Sequence, residues 1–167
     1  MRIGRLLKHL LATPGSLNRA FPPPVRERIG QAITRAEAQT SGEMRFAMEA
    51  ALPWSYLRRD APARQRALMV FSKLRVWDTE HNNGVLLYVD LADRGVEIVA
   101  DRGIARHVPH AEWEAICATM RASFRQGAYE AGALAAIETI GAQLARHFPL
   151  APGEANPNEL PNRPVAL

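Results

Sequence analysis

The run Val85-Leu86-Leu87-Tyr88-Val89 is apolar at every position. A strand with no polar side must be covered on both faces, which calls for helices above and below a sheet. After it, Asp93-Arg94-Gly95 is a turn short enough to send Val96 to Ala100 back as an antiparallel partner. Upstream, Glu43 to Glu49 alternates Met44, Phe46 and Met48 with Arg45 and Glu49, the pattern of a half-buried strand. A helix over about residues 62 to 75, with Ala67, Leu68, Phe71 and Leu74 on one stripe, separates these two strands. They are therefore expected to lie parallel, joined by a right-handed crossover.

Three further segments repeat apolar residues at helical spacing: Val25, Ile29, Ile33 and Ala36; then Trp113, Ile116, Cys117, Met120 and Phe124; then Leu134, Ile137, Ile140, Leu144 and Phe148, with Gly127 between the last two. The pattern predicts an α/β fold, a three-layer α/β/α sandwich with a small mixed sheet and two C-terminal helices. Residues 25–148 form the expected domain. Residues 1–24 are a basic amphipathic arm with the Pro22-Pro23-Pro24 connector, and residues 149–167, rich in Pro and Asn, read as a poorly ordered tail.

Charge is unevenly placed. The net charge is +4, but Arg2, Arg5, Lys8, Arg19 and Arg26 precede any acid, so the rest of the chain carries 16 Lys and Arg against 17 Asp and Glu. That balance leaves no overall field to attract phosphates, and nucleic acid is not expected as a partner. One cysteine, Cys117, cannot form an internal disulfide. No apolar run approaches the ~20 residues of a membrane span. The arm's apolar stretch is broken at Lys8 and His9, unlike a secretory signal. A cytoplasmic chain is expected. Leu6, Leu7, Leu10 and Leu11 on one side of the arm would dock on the domain or a second copy, with peripheral contact at the inner membrane as the alternative.

The expected topology brings three polar loops to one edge of the sheet: Thr40 to Glu43, Trp77 to Gly84, and Asp101 to Gly103. Glu43, Asp78, Glu80 and Asp101 meet His81, Asn82, Asn83 and Arg102 there. Carboxylates and amide carbonyls are hard oxygen ligands suited to calcium or magnesium, and an arginine beside them can clamp a phosphate. The metal set would be Asp78, Glu80, Asn83 and Asp101, with Asp101 and Arg102 as the catalytic pair and Glu43, His81 and Asn82 completing the edge. The same residues also fit an ordinary Asn-Asn-Gly turn and a surface ion pair. No EF-hand, zinc, P-loop, nucleophile-elbow or dinucleotide spacing is present.

Four segments carry a resemblance: Ala36 to Glu49, Trp77 to Tyr88, Ile98 to Ile104, and Phe124 to Gly132. In this order and at these intervals they resemble the TPM domain family over about residues 25 to 148. The resemblance implies an α/β/α sandwich. It also implies two roles seen among relatives: acid phosphatase activity in plant members that bind calcium and serve photosystem repair, and assistance to a neuronal receptor by an animal member, with bacterial members commonly encoded beside LemA-type membrane proteins. Asn83-Gly84 and Asp101 to Gly103 match the family pattern. Val76-Trp77-Asp78-Thr79 departs from its Gly-x-Gly-like loop, and His110 stands where relatives carry Asp. Two functions follow as expectations: a non-catalytic interaction module linked to a membrane-associated partner of LemA type, or a divalent-metal-dependent phosphatase acting on phosphate monoesters.

Overall fold

A computed structural model describes residues 3–167. The sheet has four strands in the order β3-β2-β1-β4: β1 (Glu43–Glu49), β2 (Gly84–Asp90), β3 (Gly95–Ala100) and β4 (Val165–Ala166). As the sequence predicts, β1 and β2 run parallel, with Glu43 opposite Gly84, and β2 and β3 are antiparallel, with Val85 opposite Ala100. The helices are α1 (Ile3–Leu11), α2 (Pro14–Ala20), α3 (Pro23–Glu37), α4 (Trp54–Arg58), α5 (Ala63–Lys73), α6 (Arg102–Ala105), α7 (His110–Arg125) and α8 (Tyr129–His147). At the α7–α8 corner Gly127 takes φ +77°, a conformation that glycine adopts without steric cost.

Alternation sorts the strand side chains into two cores. Met44, Phe46, Met48, Val85, Leu87, Val89, Val96 and Ile98 pack with the inner faces of α2, α3, α7 and α8. Ala47, Leu86, Tyr88 and Val99 pack with Ala67, Val70, Val76 and Leu160. This is the expected three-layer sandwich, with α5 as the principal helix of the second face.

Two local expectations change. β1 is buried at every residue, not half-buried. Its polar side is covered: Glu49 meets Arg66 of α5, while Glu43 and Arg45 hold residues 159–163. In α5 the buried stripe is Arg66, Ala67 and Val70, and Leu68 is exposed.

The expected poorly ordered tail, residues 149–167, lies along β1 instead. Glu43 accepts the backbone N–H groups of Glu159 (3.0 Å) and Leu160 (3.1 Å), and the Asn156 side chain donates to the Thr40 and Gly42 carbonyls at 2.8 and 3.1 Å. Arg45 donates to the Pro161 carbonyl, Leu160 is buried, and β4 pairs parallel with Ala47 and Met48. A Pro- and Asn-rich segment of low hydrophobicity is ordered here because charged side chains of β1 hold its backbone.

The expected arm, residues 1–24, also divides. Leu17 and Phe21 belong to the core, where Phe21 meets Phe46, Phe124 and Tyr129 edge-on at centroid distances of 5.8 to 5.9 Å. Helix α1 docks on the C-terminal ends of the strands by its polar side, through Arg5 and His9. Arg2, expected on the arm's basic side, lies outside the described residues.

Candidate functional site

The three polar loops do converge. Asp101 N–H donates to the Gly84 carbonyl at 2.9 Å, and Gly103 N–H to the Asn82 carbonyl at 2.8 Å. Asn82 takes φ +53° to turn the chain into β2. Two glycines allow the close packing: a Cβ on Gly84 would collide with the Val76 carbonyl, and one on Gly103 with the carbonyls of His81 and Asn82. The Gly103→Ala variant is therefore expected to lose about 1–3 kcal/mol of stability in a urea titration, because backbone on both sides must shift.

Within this frame the proposed ligands part company. Asn83 is fully buried: its amide nitrogen donates to Ser41 Oγ at 3.4 Å, its N–H to Thr79 Oγ1 at 3.1 Å, and its Oδ1 has no partner. Asp101 caps α6 by accepting the Arg102 N–H at 2.7 Å, and its Oδ2 is likewise buried and unpartnered. These two orphaned oxygens sit on neighbouring, hydrogen-bonded loops. Arg102 is exposed and donates from Nε to Asn82 Oδ1 at 2.9 Å.

The other candidates are not brought to them. Glu43 is on β1, two strand spacings from β3, or roughly 10 Å, and its two oxygens accept the tail's amides. Burial pushes its carboxyl above the ordinary range, and the two amides pull it part of the way back. Asp78 pairs with Arg75 at 2.6 Å and faces solvent. Glu80 and His81 are exposed, and the Glu80 N–H donates to the Glu159 carboxylate at 3.0 Å. Ser41, Thr79, Asn156 and Glu159 thus belong to the edge; only the first two fall in loops the sequence reading brought there.

A second polar cluster lies at the opposite edge and was not anticipated. His9, Asp90 and Asp93 place one donor atom each within 4.8 Å of one another. His9 Nδ1 accepts the Leu52 N–H at 3.0 Å, so Nε2 carries the ring proton and faces Asp93 Oδ2 at 3.1 Å. A metal on Nε2 would require the proton on Nδ1, directly against the Leu52 N–H. This geometry is a hydrogen-bonded clasp rather than a ligand set. Arg5 Nε also reaches Asp93 Oδ2, at 2.7 Å, and Arg5 Nη1 reaches Asp60 at 3.1 Å. Asp90 is fully buried with neither oxygen in a well-formed hydrogen bond, and burial with help from the nearby negative charges of Asp93 and Glu49 pushes its carboxyl up to about 7. Burial also lifts Glu37, whose Oε1 accepts the Met44 N–H at 2.7 Å, to about 8. Cys117 is buried on α7 with its thiol pushed up to about 12, so it is core and not a nucleophile.

No curated protein matches the sequence. The BA42 protein from the psychrophilic bacterium Bizionia argentinensis, solved by NMR, is similar in fold with a TM-score of 0.74 and 31% identity, over 86% of this chain and 93% of that one. The TPM domain family matches residues 18–143, which run from α2 through most of α8 and include both strands and loops of the convergent edge. With that match covering most of the sequence, and a solved relative sharing the layered fold, the chain belongs to the TPM domain family.

Proposed function

We propose that this TPM domain is a non-catalytic interaction module that takes up a divalent cation, calcium or magnesium, at its convergent edge and serves a membrane-associated partner. The observation that supports this reading is the division among the carboxylates. Asp101 Oδ2 and Asn83 Oδ1 are each buried without a partner on hydrogen-bonded loops, whereas Glu43 is engaged by the tail, Asp78 by Arg75, and Glu80 faces solvent. Two oxygens, with water completing the shell, suit weak cation binding. A hydrolase needs in addition a group that positions the attacking water, and among the described residues the other carboxylates of this edge are engaged elsewhere or face solvent.

The phosphatase alternative rests on Arg102, whose guanidinium is held beside Asp101 by Asn82 and could face an anion. Hydrolysis of an aryl phosphate separates the two. With calcium, magnesium or manganese, from acid to neutral pH, the rate is expected to equal that of Asp101→Ala. A rate well above this control would replace the interaction reading with the phosphatase one.

Cation uptake has its own measurement. Calcium at a hundredfold excess over its Kd adds about 2.7 kcal/mol to a protein that binds it only when folded, a rise of several degrees in Tm. Asp101→Asn is expected to remove this gain while keeping the cap on α6, since Asn is as good an N-cap as Asp. An equal rise in the variant, or none in the wild type, would remove the cation from the proposal.

A further inference from the structure

Helix α1 is docked the wrong way round for a helix that merely completes a core. Its polar residues Arg5 and His9 face the domain, clasped by Asp60, Asp93 and the Leu52 amide. Four of its apolar residues face out, Ile3 at 81% exposed, Leu7 56%, Leu10 67% and Leu11 71%, while Leu6 is half-buried. Close by, Trp54 opens α4 two residues after Leu52 and is 57% exposed. Scattered apolar residues on a surface need no explanation, but a whole helical stripe beside an exposed Trp does.

The surrounding charge indicates what covers it. Lys8 on α1, Arg58 and Arg59 next to Asp60, and Arg94 next to Asp93 are all exposed. The segments that make this pole, residues 3–20, 50–62 and 91–95, contain only two acids, Asp60 and Asp93, and Arg5 binds both. Apolar stripe, exposed tryptophan and exposed cations together have the chemistry of an amphipathic helix lying in the headgroup region of an anionic bilayer. An apolar protein groove could accept the stripe, but it would not by itself account for the exposed cations.

We propose that the pole formed by α1, the start of α4 and the β2–β3 turn is a docking surface for an anionic lipid bilayer. The aliphatic side chains of α1 enter the acyl boundary, Trp54 sits at headgroup level, and Lys8, Arg58, Arg59 and Arg94 meet lipid phosphates. The clasp of Arg5 and His9 fixes the domain's orientation, holding the C-terminal ends of β1 and β2 toward the membrane and the Asn83–Asp101 edge away from it. This deepens the interaction-module reading by naming what the module sits on, and the two fail separately because they use opposite ends of the sheet.

The test is co-sedimentation of the full chain with phosphatidylcholine vesicles, with and without phosphatidylglycerol, at low and high salt. Binding is expected only with phosphatidylglycerol and is expected to fall as salt rises. Leu7→Asp/Leu11→Asp should abolish it, and Lys8→Glu/Arg94→Glu should weaken it about tenfold or more. All four positions are exposed, so melting curves should match wild type, while Asp101→Asn should bind vesicles normally. Absence of binding to anionic vesicles, or binding indifferent to both double variants, overturns the proposal. So does a dimer in light scattering that Leu7→Asp/Leu11→Asp dissociates without any vesicle binding, since the stripe would then be covered by a second copy.

Discussion

Arg66→Ala is expected to cost about 3–5 kcal/mol of unfolding free energy in a denaturant titration. Arg66 reaches under the sheet from α5 and binds Glu49 with both Nε (2.8 Å) and Nη2 (2.9 Å), and Tyr88 donates its hydroxyl to the same carboxylate. All three residues are buried. Removing the guanidinium leaves the Glu49 charge in an apolar layer with only the Tyr88 hydroxyl, and the loss is mostly the penalty of that stranded charge. Changing all three together, as Glu49→Leu/Arg66→Met/Tyr88→Phe, is expected to recover most of the stability because no polar group is then left unmatched. A full-sized loss in the triple variant would show that the network's attraction, rather than its mutual compensation, holds α5 to the sheet.

Asp90→Asn is expected to stabilise the protein by about 2–4 kcal/mol at pH 8 and to change little near pH 4. The native carboxyl sits at about 7, well above its ordinary value near 4 in an unfolded chain. Between those values the folded state holds more protons than the unfolded one. Stability from this site is thus fully present below about pH 4 and is lost as pH rises toward 7. Asparagine mimics the neutral form at every pH, so its advantage appears only where wild-type Asp90 must ionise or unfold. Glu37, raised in the same direction to about 8, keeps a residual downward slope in the variant. Urea titrations across this range measure both curves, and parallel curves would mean that Asp90 ionises as freely in the folded chain as in the unfolded one.

Much of the fold was legible because it rests on periodicity. The all-apolar Val85 to Val89, the short turn to Val96 and the helical crossover settle the order and sense of β1, β2 and β3, and that topology alone brings Asn83 and Asp101 together. What periodicity does not encode is which charged side chain meets which distant partner. Glu43 resembles a cation ligand in sequence, but its carboxylate accepts amides 116 and 117 residues away. The stripe of α1 reads as an inward face by its spacing. It turns outward because Arg5 and His9 find Asp93 and Leu52, contacts spanning 88 and 43 residues that leave no local trace. Residues 149–167 look disordered by composition, since their attachment comes from the charged side chains of β1 and the Asn156 amide and not from hydrophobicity.

That attachment makes a seam. β4 contributes only two residues to the ladder beside a seven-residue β1, and the rest of the segment is held by Glu43, Arg45 and the Asn156 amide. A strap with so few ladder bonds opens at a lower free energy than the sandwich melts, so it frays as a unit of its own. Each opening bares the outer edge of β1, where the backbone at Ala47 and Met48 loses its β4 partners and the face carrying Glu43, Arg45 and Ala47 loses its cover. An uncovered strand edge is a template for a strand from another molecule. In concentrated solution the resistance of this protein to aggregation is then governed by how tightly a proline-rich ribbon stays in place, more than by the packing of its cores.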